Sequence, residues 1–472
     1  LIDAWEATEY WRDCDPQKSF FEQFQKLALD IPNQTLFKDP QSIDCDYTIS
    51  GAHSKNCYYL AVPFYSEDVY YGFLPPYAKN CVDVVVLANS EFCYRSAESE
   101  RLYNCNFVYE SNSCVDSSFL YDCRNCSNCF GSTNLRHKQY YFLNQPLTKE
   151  EYEVKMRQIY LGSHKKLQEY SKRFGELYQK AVRRNVYKYL SEGSIGDNLL
   201  QCKNCYWAFV NLSESENLRY TNSTDKARDS MDVFGGTNFE LCYDSSAALN
   251  CNQVRFSKMI RAGLEVEYSA ECSNCEYLFG CFGLRNKKYC IFNKQYKPED
   301  YWMRVDEIKT AMLARREYGE FFSVKDSPHP YNDSNAAIEF PLTKEEVLRR
   351  GWYWREEDKP AELSGPDILQ AKDVPDNIAD VSDDILNKTI VCEKTGKPFR
   401  ITKFELDFYR RKNLSLPTVH PLERIKDLFN YRHLGKLWKD KCKKCGVEMW
   451  SNYYPAKNYT VYCEQCYQKE IV

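Results

Sequence analysis

The stretch FLYDCRNCSNCFGSTNLRHKQYYFLN, residues 119–144, recurs in a related form as EYSAECSNCEYLFGCFGLRNKKYCIFN, residues 267–293. The two copies align at an offset of 149 residues, and the same offset matches residues well upstream of them. A constant offset over such a distance indicates duplication of a whole structural unit. The matched pairs are Cys123 with Cys272, Cys126 with Cys275, Gly131 with Gly280, Leu135 with Leu284, Arg136 with Arg285, Asn144 with Asn293, Cys93 with Cys242, Tyr94 with Tyr243 and Asp83 with Asp232.

A short repeat runs through the first unit. Cys57, Cys81 and Cys105 are evenly spaced, and Val69 and Cys93 fall halfway between them. Short β-rich runs alternate with Asn, Ser, Asp and Gly, and Asn tolerates the left-handed backbone of tight turns. A period of about 12, doubled to about 24, predicts a parallel β-helix (β-solenoid) with small Cys and Val side chains in a narrow interior.

The predicted fold class is mixed β and α: a duplicated parallel β-helix with a helical insert and a C-terminal zinc-ribbon module. A sandwich of short strands is the alternative, because the nine-residue spacing between Cys114 and Cys123 breaks the repeat. The predicted segments are an N-terminal helical cap at 1–45, β-solenoid copies at 46–146 and 197–296, a basic helical insert at 147–196, a helix at 297–322, an extended linker at 323–387 and a basic zinc-ribbon or treble-clef-like module at 388–472.

Composition and charge limit the classes of protein. The 472 residues include 23 cysteines, an odd number in a chain longer than a usual disulfide-stapled domain, which favours reduced thiols. No run approaches the roughly 18 apolar residues of a membrane span, and no signal peptide is visible, so a cytoplasmic location is predicted. The net charge of −4 hides two basic segments: 388–472 has 18 Lys and Arg against 9 Asp and Glu, and 148–190 has 11 against 5. Such segments on an acidic body suggest a polyanion partner.

Four cysteines near the C-terminus form the strongest motif. Cys442 and Cys445, then Cys463 and Cys466, are two Cys-x-x-Cys knuckles separated by the segment 446–462. The spacing within each knuckle lets both thiolates face one ion, and four thiolates complete a tetrahedral Zn²⁺ shell. We therefore predict a structural zinc ion. Redox-active or simply buried cysteines are the alternative, although a redox pair is expected in a βαβ context that the sequence lacks.

A second, incomplete knuckle precedes these four cysteines. Thr395 stands where a second Cys would follow Cys392, and His420 is a further potential ligand. Two ligands are too few for a tetrahedral site. We interpret this region as a treble-clef-like fold that has lost its metal, and a second zinc at Cys392 and His420 is the alternative.

Basic residues interleaved with aromatic residues surround both knuckle regions. Lys and Arg neutralise phosphates, and aromatic rings stack on bases, so this mixture on a small zinc fold is typical of nucleic-acid binding. The alternative is a solvated surface over an aromatic core. The candidate nucleic-acid-binding residues are Arg410, Arg411, Lys412, Arg424, Lys436, Lys439, Lys441, Lys443 and Lys444.

Each β-rich unit contains a cluster of cysteines that could hold zinc or an iron–sulfur cluster. The third cysteine does not keep one register between the copies: Cys129 aligns with Leu278, and Cys281 aligns with Ser132. A metal site is expected to keep its ligands in both copies, whereas buried thiols of a core need not, so we favour a ladder of buried cysteines. The clusters are Cys114, Cys123, Cys126 and Cys129 in the first unit and Cys272, Cys275, Cys281 and Cys290 in the second.

Common catalytic motifs are missing from the sequence, including a Gly-rich phosphate loop, Gly-x-Ser-x-Gly and His-Glu-x-x-His. A parallel β-helix can carry a carbohydrate-active site built from carboxylates, and Glu67, Asp68, Asp83 and Asp232 are available. Nothing distinguishes these four from ordinary turn and surface residues. We therefore favour a protein that is not an enzyme, and no small-molecule cofactor is indicated.

Strings spread over nearly the whole chain carry a family resemblance. They include SKNCYYL, SEFCYRS, DCRNCSNCFG, NLRHKQYYFLN, VPDNIADVSDDILNKTIVCEKTGKPFRIT, ELDFYRRKNLSLP and VYCEQCYQKE. The chain resembles a family of uncharacterised Cys-rich, zinc-ribbon-containing repeat proteins from uncultured candidate-phylum bacteria. The resemblance implies zinc-ribbon units both before and after the repeats, and an incomplete first knuckle in the 392 region. It implies no activity.

These observations together predict a non-enzymatic, zinc-containing binding or scaffold protein. Its basic zinc module and basic helices are expected to contact RNA or a ribonucleoprotein. The first alternative is a structural or assembly protein that acts through protein–protein contacts of the solenoid. The second alternative is a carbohydrate-active β-helix enzyme.

Overall fold

The computed structural model of the chain describes residues 6–32, 39–210, 214–222, 226–237, 240–356, 365–433 and 435–472. Parts of the predicted cap, second β-rich unit, linker and C-terminal module lie outside these described residues. Two ten-stranded sheets, both mostly parallel, dominate the fold. The predicted mixture of helices with parallel β-structure is therefore confirmed.

The first sheet has its strands in sequence order, and every pair except the last is parallel. Each strand residue lies opposite its counterpart one repeat later, as Cys45 does with Cys57 and Val69 with Cys81. One repeat therefore contributes one strand to this sheet. The strands are β1 (Ile43–Ile49), β2 (Lys55–Ala61), β3 (Glu67–Phe73), β4 (Cys81–Ala88), β5 (Tyr94–Glu100), β6 (Asn106–Tyr109), β7 (Ser118–Tyr121), β8 (Ser127–Thr133), β9 (Gln139–Phe142) and β10 (Gln145–Pro146).

Backbone conformation and burial recur every three residues within each 12-residue repeat. Every third residue from Asp44 to Leu143 has a positive φ. Each positive-φ residue from His53 to Gly131 is followed directly by a buried residue. We call these buried residues, which recur every three positions from Ser54 to Ser132, the inward residues. Left-handed backbone costs most L-residues about 1–2 kcal/mol, and Asn is among the residues that tolerate it best. Asparagines with positive φ in this sheet include Asn56, Asn80, Asn89, Asn104, Asn125 and Asn128.

Inward serines and cysteines form hydrogen bonds with the backbone of the next repeat. The Leu102 N–H donates to Ser90 Oγ at 3.0 Å, and the Ser90 hydroxyl donates to Ala88 O at 2.7 Å. The Cys93 N–H donates to Cys81 Sγ at 3.4 Å in the same way. Because a buried backbone N–H needs a partner, small residues with an accepting side-chain atom suit these positions.

The nine-residue spacing between Cys114 and Cys123, which breaks the 12-residue repeat of the sequence, follows from the same three-residue period. Cys114 and Cys123 are three inward positions apart, and both are buried. Cys57 pairs with Val69 and Val69 pairs with Cys81, so the shorter of the two predicted periods sets the register. Antiparallel pairing, which a sandwich of short strands would use throughout, occurs in this sheet only where β9 meets β10.

The second sheet repeats this construction with more irregularity. Met231 lies opposite Tyr243, which keeps the 12-residue period, but Ile195 lies opposite Tyr206, which is one residue short of it. The strands of this sheet are β13 (Ile195–Asp197), β15 (Tyr206–Phe209), β16 (Arg219–Asn222), β17 (Met231–Thr237), β18 (Tyr243–Leu249), β19 (Asn252–Lys258), β20 (Arg261–Glu267), β21 (Ser273–Phe279), β22 (Lys288–Ile291) and β23 (Lys294–Gln295). Near its start lie the short strands β11 (Val182–Arg184), β12 (Lys188–Tyr189) and β14 (Leu199–Leu200).

Helices pack against both sheets. The ring of Phe20, in the first helix, lies 5.1 Å from that of Tyr268 and 5.5 Å from that of Phe279, so this helix covers the second sheet although the first sheet follows it in sequence. Phe174 packs against Phe119 of the first sheet. The helices are α1 (Phe20–Asp30), α2 (Lys149–Arg157), α3 (His164–Lys180), α4 (Pro298–Ala314), α5 (Ala336–Glu339), α6 (Lys344–Arg349), α7 (Lys403–Lys412), α8 (Pro421–Phe429) and α9 (Glu464–Ile471).

The stretch that the sequence predicts as an extended linker contains short helices and joins a core. Ile378, Val381 and Ile385 are buried in one cluster with residues of the first sheet, α3, α7 and α8. The remaining strands are β24 (Ile368–Gln370), β25 (Thr389–Val391), β26 (Pro398–Phe399), β27 (Trp438–Lys441), β28 (Glu448–Ser451) and β29 (Thr460–Tyr462). Short 3-10 helices are Ala7–Tyr10, Val324–Asp326, Tyr331–Asp333, Ala371–Asp373, Ile378–Asp380, Asp383–Asn387 and Pro455–Lys457.

Replacing Ser90 by alanine removes the acceptor of the Leu102 N–H inside the first sheet. Because a buried donor without a partner costs about 1–3 kcal/mol, we expect Ser90→Ala to lower the free energy of unfolding by that amount. Urea denaturation followed by circular dichroism measures the loss. Ser90→Cys should lose less, because Cys81 accepts an equivalent hydrogen bond.

Ser113→Ala is the matched control for this substitution. The Ser113 hydroxyl donates to the side chain of the neighbouring Asn112 at 2.6 Å rather than to buried backbone. A change within about 0.5 kcal/mol is therefore expected. Equal losses at Ser90 and Ser113 would contradict the role of the inward hydroxyls.

Candidate metal centre and the junction around it

Four cysteine thiols meet near the end of the chain. The Sγ atoms of Cys442, Cys445, Cys463 and Cys466 all lie within 4.8 Å of one another, and those of Cys445 and Cys463 are 3.7 Å apart. Metal–sulfur bonds of about 2.3 Å in a tetrahedral site separate the sulfurs by about 3.8 Å. These thiols can therefore surround one metal ion. Within the described part of the chain, they are the one group of three or more clustered His, Cys, Asp or Glu ligands.

Backbone geometry places these sulfurs. β27 and β28 pair antiparallel, and the turn between them carries Cys442 and Cys445. Gly446 closes this turn with a φ of 77°, which favours glycine, and its N–H donates to Cys442 O at 2.9 Å. β29 leads directly into Cys463, the N-cap residue of α9, and Cys466 lies in the first turn of that helix.

Backbone N–H groups favour ionisation of one of the four thiols. Burial acts to raise the pKa of Cys442, but the N–H groups of Cys463, Cys445 and Lys444 outweigh it and lower the pKa to about 6. Loss of solvent contact and the neighbouring thiols raise the pKa of Cys466 to about 12. A bound cation is therefore needed to hold all four sulfurs as thiolates near neutral pH.

The two residues of the predicted second metal site are engaged in local hydrogen bonds. Cys392 Sγ accepts the backbone N–H of His420 at 3.3 Å. His420 Nδ1 accepts the N–H of Leu422 at 3.2 Å, which caps the start of α8. Both side chains therefore help to fix the local backbone, and a second zinc at this place stays a prediction.

Arg424, predicted to bind nucleic acid, is instead a buried structural residue. It has no exposed surface, and its Nε lies 3.2 Å from Asp83 Oδ2 while its Nη2 lies 3.3 Å from Glu405 Oε1. The Tyr71 hydroxyl donates to Glu405 at 2.8 Å. Arg424 therefore links α8 to α7 and the first sheet, which corrects its prediction as a nucleic-acid contact.

Most of the other predicted nucleic-acid contacts also have partners within the chain. Lys436 lies over the ring of Phe340, and Lys439 lies over the ring of Trp450. Lys441 and Lys443 are exposed. Seven of the eight remaining candidates, all except Lys412, are exposed, so nucleic-acid binding by these residues stays a prediction. The remaining four candidates pair with side chains of this chain, namely Arg410 with Asp383, Arg411 with Asn80, Lys412 with Asn104, and Lys444 with Glu470.

A line of acidic residues on the first sheet, which the sequence patterns did not single out, binds the C-terminal region. Glu98, Glu110 and Asp122 follow one another at 12-residue intervals and so occupy equivalent places in successive repeats; we call them the acidic column. The 12-residue period applied to carboxylates would have found them. Their partners are Arg432 at 3.5 Å from Glu98, His433 at 3.4 Å from Glu110, and Tyr467 and Arg136 for Asp122.

Glu110 is the centre of this contact. Its Oε2 accepts the hydroxyl of Tyr187 at 2.7 Å and that of Tyr453 at 3.3 Å. Burial acts to raise the pKa of Glu110, but His433 and Tyr187 outweigh it and lower the pKa. Burial acts to lower the pKa of His433, but the Glu110 carboxylate outweighs it and raises the pKa to about 9. Both members of the pair are therefore charged at neutral pH.

Residues 438–472, which carry the metal ligands, contact both sheets; we call this region and its contacts the junction. β29 pairs in parallel with β11, the strand that follows α3. The Asn452 side chain donates to Asp197 Oδ2 at 2.8 Å, at the start of the second sheet. The Tyr453 hydroxyl lies 3.1 Å from that of Tyr121 in the first sheet. The metal centre is thus connected to both halves of the molecule.

The carboxylates considered for a carbohydrate-active site are spread over the molecule. Asp83 is enclosed beside Arg424, and Glu67 and Asp68 stand in β3 of the first sheet. Asp232 is exposed in β17 of the second sheet. These positions do not bring the four carboxylates into one group, so they lend no support to a catalytic site.

The cysteines of the two interior clusters are buried and free of disulfides. Burial raises the pKa of Cys123 in the first cluster, and it raises the pKa of Cys290 in the second cluster to about 12. Hydrogen bonds from Cys114, Cys123 and Cys129 instead lower the pKa of Cys126. The thiols whose pKa is raised stay protonated and act as small apolar side chains at neutral pH. This state agrees with a ladder of buried cysteines.

Comparison with known proteins adds no assignment. No protein-family model matches the chain, and no curated protein matches it. None of the described helices has the length and apolar character needed to cross a membrane.

The free energy of unfolding should fall as the pH rises through the pKa of His433. The folded-state pKa of about 9 exceeds the unfolded value of about 6.5, so the stabilisation is complete below about pH 6.5 and is lost as the pH passes about 9. We expect His433→Gln to be less stable than the wild type by about 1–3 kcal/mol near pH 6 and nearly equal to it above about pH 9.5. Urea denaturation across this pH range measures the difference.

Tyr187→Phe is the control for this pH dependence. It removes a hydrogen bond to the same Glu110 carboxylate but no group that titrates between pH 6 and 9. Its difference from the wild type should therefore stay constant over the range. A constant difference for His433→Gln as well would contradict the charged pair.

Proposed function

We propose that this protein is a scaffold in which two β-solenoids are held in a fixed arrangement by a zinc-bound C-terminal region. The 12-residue parallel register in both sheets and the buried inward residues of the first sheet support the solenoid interpretation. A solenoid offers a long, regular surface that suits the docking of partners. The role of the metal is to fix the junction.

The observation that carries this proposal is that the segment between the two cysteine knuckles contacts both sheets. Trp450, between the two knuckles, packs against Trp207 of the second sheet with ring centroids 5.5 Å apart. Tyr453, a little further along the chain, reaches Tyr121 and Glu110 of the first sheet. A metal that joins the knuckles therefore restrains the segment that contacts both sheets.

Zinc suits these ligands and this role. Four thiolates at tetrahedral distances are typical of structural zinc, and a closed shell leaves no position for substrate or water. Zn²⁺ also undergoes no redox change, so the junction would not depend on the redox state of the metal. Iron in a thiolate site is the competing metal, and elemental analysis separates the two.

The Cys445→Ser variant tests both whether zinc is bound and whether the bound zinc holds the junction together. The purified wild type should contain about one zinc per chain. The variant should lose most of the zinc and several kcal/mol of stability, because metal-binding free energy is also folding free energy. Inductively coupled plasma mass spectrometry measures the metal, and small-angle X-ray scattering should report a larger radius of gyration when the junction loosens.

Cys105→Ser is the matched control for the metal site. Cys105 is an inward residue of the first sheet, and Ser117 stands at the equivalent position one repeat later. This variant should keep its zinc and its radius of gyration. Full zinc content in Cys445→Ser, iron in place of zinc, or an unchanged radius of gyration after zinc loss would each contradict the proposal.

A second candidate function is contact with RNA, which one observation favours. Lys439 and Lys441 alternate with less exposed residues along β27, so both lie on its open side, and Lys443 follows in the first knuckle. Tyr454 beside this strand is 54% exposed. Lysines with an exposed aromatic ring match the requirements of single-stranded nucleic acid.

A single-stranded RNA oligonucleotide should bind in a salt-dependent manner if this surface contacts RNA. Three phosphate contacts predict a loss of about 10–20-fold in affinity between about 50 and 200 mM salt. Lys441→Glu with Lys443→Glu should weaken binding by at least about tenfold, as measured by fluorescence anisotropy. The charge-matched control is Lys26→Glu with Lys372→Glu, at two exposed lysines elsewhere. No binding at low salt, or equal losses in both double variants, would remove this candidate.

A further inference from the structure

A cavity of about 430 Å³ lies where the first sheet, α3 and the C-terminal region meet. Its walls come from β5 to β7, from α3, and from residues 393–431. Small-molecule sites in proteins typically measure about 300–1,000 Å³ and often lie where several structural units join. The size and the location of this cavity therefore fit a ligand site.

Aromatic side chains line one part of the cavity. Phe107 and Phe119 stand one repeat apart and stack with their ring planes 5° apart and centroids separated by 4.5 Å. Phe174 of α3 lies 5.7 Å from Phe119, and Tyr109 stacks on Tyr431 at 3.6 Å. All five rings border the cavity. Such walls favour a flat, aromatic ligand.

Polar atoms without partners border the same cavity. Ser415 and Thr418 are 2% and 7% exposed, and neither hydroxyl has a hydrogen-bond partner among the described residues. The buried Nδ1 atom of His164, at the start of α3, also has no hydrogen-bond partner among the described residues. The Ser415 N–H donates to Leu161 O, so the segment with the hydroxyls lies against the start of α3. Buried polar groups without partners are costly and uncommon, which makes three at one cavity informative.

Charges beside the cavity are largely balanced. Asp427 lies 2.7 Å from the Lys394 ammonium and 3.9 Å from the Arg95 guanidinium. Arg424 is paired with Asp83 and Glu405. Because the charges in these pairs compensate one another, they would not attract an ion, and the cavity suits a neutral ligand.

We propose that this cavity binds a neutral, planar heteroaromatic molecule of nucleobase size. Its ring would lie against the phenylalanine and tyrosine side chains, and its ring nitrogens and exocyclic groups would bond to Ser415, Thr418 and His164. A hydroxyl both donates and accepts, so this set can pair with either kind of edge group. Since three separate parts of the chain form the walls, the bound ligand would also hold the C-terminal region on the first sheet.

The test measures binding of adenosine, guanosine, cytidine and uridine to the full chain, each at up to about 1 mM. At least one nucleoside should raise the melting temperature in a concentration-dependent manner, because a ligand of the folded state stabilises it. The corresponding 5′-monophosphate should bind no more tightly, since the cavity suits a neutral ligand. Isothermal titration calorimetry gives the affinities.

Ser415→Ala with Thr418→Val separates a ligand site from a structural role. Without ligand, the melting temperature of this double variant should equal or exceed that of the wild type, because hydroxyls without protein partners are removed. Its affinity for the nucleoside should fall at least about tenfold. Ser117→Ala, which removes a partnered inward hydroxyl, should lower the melting temperature and leave the affinity unchanged.

Three results would overturn the proposal. The first is that none of the four nucleosides binds. The second is that the double variant binds a nucleoside as tightly as the wild type. The third is that the double variant is less stable than the wild type without ligand, which would show that the two hydroxyls serve the fold itself.

Discussion

The hydrogen bond from an inward backbone N–H to the serine or cysteine one repeat earlier is the interaction on which much of the first sheet depends. The left-handed backbone at every third residue costs about 1–2 kcal/mol per residue, and the strand ladder must offset it. At Leu102, Cys123 and Cys129 the inward N–H donates to the serine one repeat earlier at 3.0 Å in each case. A small apolar residue in place of that serine would leave the N–H donor without this partner. Serine and cysteine both supply the acceptor for this N–H, which accounts for many of the hydroxyls and thiols among the inward residues.

The C-terminal region is attached to this framework by enclosed charges as well as by apolar packing. Arg424 sits between Asp83 and Glu405, and His433 sits against Glu110, all with little or no exposed surface. Removing Arg424 should cost about 3–5 kcal/mol, because Asp83 and Glu405 would be left as buried charges without this partner. Such pairs therefore select one docking position on the repeats. The four clustered cysteines belong to the same C-terminal region, so a metal bound to them would also support its docking.

The parts of the molecule that follow from local spacing could be predicted from the sequence, and the parts that depend on distant partners could not. The column through Cys57, Val69 and Cys81 and the two Cys-x-x-Cys knuckles are both spacing patterns, and the structure has a parallel register and four clustered thiols at these places. Arg424 resembles a surface cation in the sequence, because its partner Asp83 belongs to the first sheet and is far from it along the chain. The acidic column was open to prediction, since it obeys the 12-residue period. The covering of the second sheet by α1 carries no such local signal.

Hydrogen–deuterium exchange with and without a zinc chelator, followed by mass spectrometry, tests the central claim most directly. If the metal braces the junction, its removal should speed exchange in residues 438–472 and also in β11, in Tyr187 and around Glu110, which are distant in sequence. Amides bonded to inward serines, such as that of Leu102, should keep their protection. Faster exchange confined to residues 438–472 would contradict the account, because the metal would then stabilise only its own ligands.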